Sequence, residues 1–137
     1  MSAEKRRLEG ERWLLQAEDD LEAGRALLAA GKYAQAAFLA QQAGEKALKG
    51  LWLALGLDPW GHSLAWLIKD LPGERGERLR SLLPLALALD KLYIPTRYPD
   101  ALPGLIPKEA YTREEAEEAL AHAQLLLVHI RQALNEG

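Results

Sequence analysis

The 137-residue sequence contains no cysteine, one valine, four isoleucines and two threonines. Without cysteine there is no disulfide framework, Cys-ligated zinc, iron–sulfur cluster or thiol nucleophile. With so few β-branched residues the chain cannot furnish a sheet, because strands draw on them and on aromatics. No run of about 18 apolar residues occurs, which excludes a transmembrane helix, and no membrane partner is expected. Met1 to Arg12 is charged and lacks the apolar region of a secretory signal, so cytoplasmic residence is the expectation. Neither charge sign dominates: 17 Lys and Arg face 20 Asp and Glu, and the net charge is −3. That balance exerts no global pull on nucleic acid, although a local basic patch stays open. Nor is there a glycine-rich phosphate loop. Gly73-Glu74-Arg75-Gly76 has neither the required spacing nor a preceding strand.

What is abundant is leucine, 29 residues, and alanine, 23. Both are strong helix formers, and the chain is expected to be all-α, a single domain over residues 1–137. Leu14, Ala17, Leu21, Gly24 and Leu28 form one face of a first helix spanning Glu4 to Ala30. Gly31 suits a left-handed cap, and Tyr33 to Leu55 reads as a second helix. The two-residue break between them predicts an antiparallel hairpin. A short third helix starts at the N-cap Ser63 and ends before Pro72. Glu74 to Leu92 is a fourth helical region with a restart at Pro84, capped by Ser81. From Ile94 to Tyr111 four prolines predict a segment without helix. Thr112 and Glu115 form a capping box opening the last helix, which runs to about Asn135.

The second helix departs from a bland amphipathic pattern. Ala40, Ala43, Gly44, Ala47, Leu48 and Leu51 fall on one side, with Gln42, Glu45, Lys46 and Lys49 opposite. Phe38 and Leu53 bracket that polar patch, so it reads equally as a solvated face or as a partly buried network or subunit interface. Glu45 and Lys49 are an i,i+4 pair in the favourable orientation. His122 and His129 stand seven residues apart, too far to share one metal, and His62 lies in a turn. Arg97 offers a planar fork for phosphate or carboxylate, and Tyr98 a ring for stacking. The competing reading is that Arg97 pins its loop by pairing with Asp90, Asp100 or Glu45.

The order and spacing of several segments resemble the HEPN family of small helical domains. They are Trp13, Ala17, Asp20-Leu21 and Ala23, then Gly31-Lys32-Tyr33-Ala34-Gln35-Ala36-Ala37-Phe38. Gln41-Gln42-Ala43-Gly44-Glu45-Lys46-Ala47-Leu48-Lys49 and His62-Ser63-Leu64 follow. Leu89-Asp90-Lys91-Leu92-Tyr93-Ile94-Pro95-Thr96-Arg97-Tyr98-Pro99-Asp100 is the densest stretch, with Tyr111 beyond it.

The resemblance implies an up-and-down antiparallel bundle of about five helices that usually pairs into a homodimer. Bacterial and archaeal members often stand beside a minimal nucleotidyltransferase, in some cases as a toxin–antitoxin pair. Many active members are metal-independent ribonucleases carrying an arginine followed four to six residues later by a histidine. This sequence departs from that motif: after Arg97 the next histidine is His122, and neither His62 nor His129 has an arginine at that spacing. It looks like the non-nuclease branch, needing no cofactor or metal. The leading expectation is therefore a dimeric binding module for a nucleotide-like ligand, or a partner of a separate nucleotidyltransferase. Arg97, Lys46 and Lys49 would neutralise phosphate, Tyr98 would stack, and Glu45 and Asp100 would orient the cations. RNA stays open as a partner. The alternatives are a ribonuclease toxin with a rearranged site, using His122 near Arg97, and a purely structural dimerisation or adaptor domain.

Overall fold

Leucine and alanine stripes at helical spacing produce three long helices in the computed structural model, which describes residues 2–136. They are α1 (Ala3–Ala29), α2 (Tyr33–Ala54) and α7 (Arg113–Asn135), joined by the shorter α3 (Leu64–Lys69), α4 (Gly73–Leu79), α5 (Leu83–Asp90) and α6 (Pro107–Ala110). No strand occurs among the described residues. The fold is the expected all-α bundle. None of its helices is long and apolar enough to cross a membrane, among the described residues.

Gly31, at φ +77°, turns the chain so that α2 runs back along α1. The capping box of Thr112 and Glu115 opens α7, which lies against both: Arg131 reaches Glu11 and Glu18 on α1. Small side chains bring the helices close. Ala36, Ala40, Ala43 and Ala47 are fully buried, together with Leu48, Leu64, Leu67 and Leu126. Where α1 crosses α2, a Cβ on Gly10 would lie 2.5 Å from the carbonyl oxygen of Gly50. Alanine would gain about 1 kcal/mol of helix propensity there. The obstacle is backbone, however, so α1 would have to move, and overpacking of this kind costs about 1–3 kcal/mol. Gly10→Ala is accordingly expected to lower unfolding stability in urea by up to about 2 kcal/mol net; a gain in stability would show that the crossing has slack.

Two expectations need correction. Ser81 does not cap the restart at Pro84; its hydroxyl donates to the Arg78 carbonyl at 3.2 Å. A 3-10 turn over Arg80–Leu82 carries α4 into α5, so no extended N-cap residue is required there. The proline segment is not helix-free either. Pro99–Ala101 forms a 3-10 turn and Pro107–Ala110 one helical turn, each opened by proline, whose fixed φ suits the first helical position.

Candidate functional site

α2 supplies the base of the site. Gln41, Glu45 and Lys49 stand at i, i+4 and i+8, hence on one face. Gln41 is fully buried and Glu45 is 7% exposed. The amide of Gln41 donates to Glu45 Oε1 at 3.1 Å, and Lys49 Nζ donates to Oε2 at 3.1 Å. Gln42 donates in turn to Gln41 Oε1 at 2.8 Å. The patch is thus a partly buried network, covered by the loop after α2. That loop brings His62, whose Nδ1 lies 3.2 Å from Glu45 Oε2.

Asp90, at the end of α5, holds the covering loop in place. Its carboxylate accepts from Ser63 Oγ at 2.9 Å and from the backbone N–H groups of Leu64 and Ala65 at 2.6 and 3.1 Å. A carboxylate over the N–H groups that open α3 satisfies donors with no partner inside the helix. Ser63 is the N-cap, as its residue type predicts, accepting from Trp66 N. Asp90 is therefore committed to α3 and does not pair with Arg97.

Beyond α5 the chain makes a tight turn through Lys91–Arg97, in which Thr96 Oγ1 donates to the Leu92 carbonyl. Tyr93 sits at its centre. The His62 ring stacks on the Tyr93 ring at 4.6 Å with 20° between planes. Arg97 Nε donates to the Tyr93 carbonyl at 2.8 Å, and its guanidinium carbon lies 4.4 Å from the Tyr93 ring centre. The rings of Phe38 and Tyr98 complete the surround at 4.7 and 4.9 Å.

No carboxylate among the described residues pairs with Arg97; those expected to do so are otherwise placed. Glu45 holds Lys49 and His62. Asp100 is exposed in the 3-10 turn and makes no ion pair among the described residues. Rings hold the guanidinium instead, a cation–π arrangement worth about 0.5–1 kcal/mol per exposed contact. Its two terminal nitrogens have no hydrogen-bond partner among the described residues and are not sealed off from solvent. A fork oriented in this way can take an anion in bidentate fashion.

The remaining expected residues separate. Tyr98 is at the site, 48% exposed. Lys46 belongs to another cluster, pairing with Asp20 of α1 at 2.6 Å while Gln16 donates to the same carboxylate at 3.0 Å. It borders a groove of about 550 Å³ against α1, lined also by Glu9, Arg12, Trp13 and Gln16. Lys49 is bound to Glu45 and is not free to meet phosphate. His122 makes no contact with Arg97 among the described residues. It pairs with Glu118 at 3.3 Å and faces Lys91, Leu92 and Tyr111. Burial, and next the charge of Glu115, raise the pKa of the Tyr111 phenol there. His62 is the member that sequence reasoning missed. Only the covering loop brings it to Tyr93, and no spacing in the chain signals that contact.

Comparison with known proteins agrees on one family. The HEPN domain model matches residues 10–132. The crystal structure of TT1696 from Thermus thermophilus superposes with a TM-score of 0.87 at 47% identity, covering 91% of this chain and 98% of that one. An archaeal HEPN homologue, ST0689, gives a TM-score of 0.78 at 37% identity, over 93% of this chain and 98% of its own. A candidate toxin of Methanocaldococcus jannaschii is 30% identical over 132 residues, 90% of this chain and 87% of that protein.

Proposed function

This chain belongs to the HEPN family, and on that premise we propose that it is a toxin-type, metal-independent ribonuclease with a rearranged site. Arg97 takes the phosphate and His62, rather than His122, exchanges the proton. The observation that carries this reading is the Arg97 guanidinium, held by three rings and two terminal nitrogens free for a ligand, on the same Tyr93 that stacks on His62. The similarity to a candidate toxin supports it.

The chemistry follows from the orientation of the imidazole. A Nδ1–H donated to Glu45 leaves Nε2 with its lone pair, the tautomer of a general base. Nε2 accepts the proton of a ribose 2′-hydroxyl as that oxygen bonds to phosphorus. The bond from phosphorus to the 5′-oxygen breaks, and the leaving oxygen takes its proton from water. The products are a 2′,3′-cyclic phosphate and a 5′-hydroxyl end. Arg97 stabilises the charge that develops on the non-bridging oxygens.

A second reading is favoured by the missing Arg–His spacing: a homodimeric module that binds a nucleotide at Arg97 and Tyr98 without cleaving, and acts with a separate nucleotidyltransferase. One experiment separates the two. The pure protein, incubated with single-stranded RNA in EDTA, is expected to yield fragments ending in 2′,3′-cyclic phosphate. Intact RNA at high protein concentration, with nucleotide binding that depends on Arg97, establishes the second reading and ends the first.

A further inference from the structure

Two residues before His62, on the same loop, stands Trp60, 66% exposed. It is the most exposed large hydrophobic side chain among the described residues. An isolated exposed ring is ordinary, but this one is anchored. Its ring packs on Trp66 at 4.7 Å and 55°, and Trp66 stacks on Trp52 at 5.6 Å and 24°. Trp52 is 5% exposed, and its indole N–H donates to the Leu67 carbonyl at 2.9 Å. A column of three indoles thus runs from the core to the surface. Pro59 fixes one side of the turn, and Gly61 the other at φ +82°. Because adjacent residues advance at most about 3.6 Å each, the Trp60 backbone lies within about 7 Å of His62.

We propose that Trp60 is the stacking platform for an unpaired nucleobase beside the phosphate at Arg97, which makes single-stranded RNA the substrate class. This rests on the RNA reading above. A rigid, exposed indole suits that task because every base presents a π-face and little side-chain freedom is lost on contact. A base paired within a duplex has both faces covered by its neighbours and cannot enter the stack. Tyr98, half exposed and beside the Arg97 guanidinium, offers a second ring.

The test uses the full-length protein carrying His62→Ala, so that RNA is bound without turnover, and a short oligoadenylate as probe. Affinity is read by anisotropy of a labelled probe and by quenching of tryptophan fluorescence. Trp60→Ala is expected to weaken binding about fivefold to a hundredfold, because stacking on an aromatic contributes about 1–3 kcal/mol per base. Trp60→Phe should retain most of the affinity. An oligonucleotide with one abasic position should lose affinity on the unaltered Trp60 background and lose nothing further with Trp60→Ala, which keeps the test independent of folding. Binding that requires Arg97 but is indifferent to both Trp60 substitutions overturns the platform and leaves the RNA reading standing; Trp60 is then a protein contact. Absence of RNA binding in every form, with Arg97 intact, removes the RNA reading and the platform with it.

Discussion

Replacing His62 with alanine is expected to reduce RNA cleavage about a thousandfold, and replacing Arg97 about a hundredfold. The two losses have different causes. In the proposed reaction His62 is the proton acceptor, and general-base catalysis by a positioned side chain contributes about 10²–10⁴ in rate. In the same proposal Arg97 donates to the oxygens on which charge accumulates, a role whose loss typically costs about 10²–10³. Arg97 also contributes to the fold through three ring contacts and the bond to the Tyr93 carbonyl. Arg97→Ala should therefore cost about 1–2 kcal/mol of stability as well. Arg97→Lys keeps the charge but loses the planar fork, so it should restore stability more than activity. If cleavage persists in Arg97→Ala while thermal stability falls, the guanidinium is only a clasp for the loop.

Glu45→Ala is expected to cost about 3 kcal/mol of unfolding free energy, the largest loss of stability among these substitutions. Lys49 would be left with a side chain only 14% exposed and no counter-charge, Gln41 with only the His62 carbonyl as acceptor, and His62 without its anchor. Removing one partner of such a pair is far more damaging than replacing both with apolar groups. Glu45→Leu combined with Lys49→Met should therefore recover most of the stability lost in Glu45→Ala. Equilibrium urea unfolding measures both. Equal losses in the single and double variants would show that the carboxylate matters for its other partners and not for Lys49.

Composition alone decided the fold class, and local chemistry decided most helix ends. Gly31, Ser63 and the Thr112–Glu115 box act through φ preference and side-chain capping, both set within a few residues. The proline turns were less legible, because proline both forbids helix interiors and favours helix starts. At the site, the Glu45–Lys49 pair could be read from i,i+4 spacing, and Arg97 and Tyr98 could be singled out from their chemistry.

The scarcity of cysteine, β-branched residues and histidine thus left an all-α chain with little reactive chemistry, and that much was determined by the sequence itself. Which histidine reaches Tyr93, the ring that also carries Arg97, was not. His122 and His62 are respectively 25 residues after and 35 before Arg97, and only tertiary packing chooses between them. Asp90 captures the start of α3, the preceding loop lays His62 across Glu45, and Tyr93 receives its ring. Local propensities act over about four residues, whereas this site is assembled from side chains separated by dozens. Its identity is therefore a property of how the helices pack.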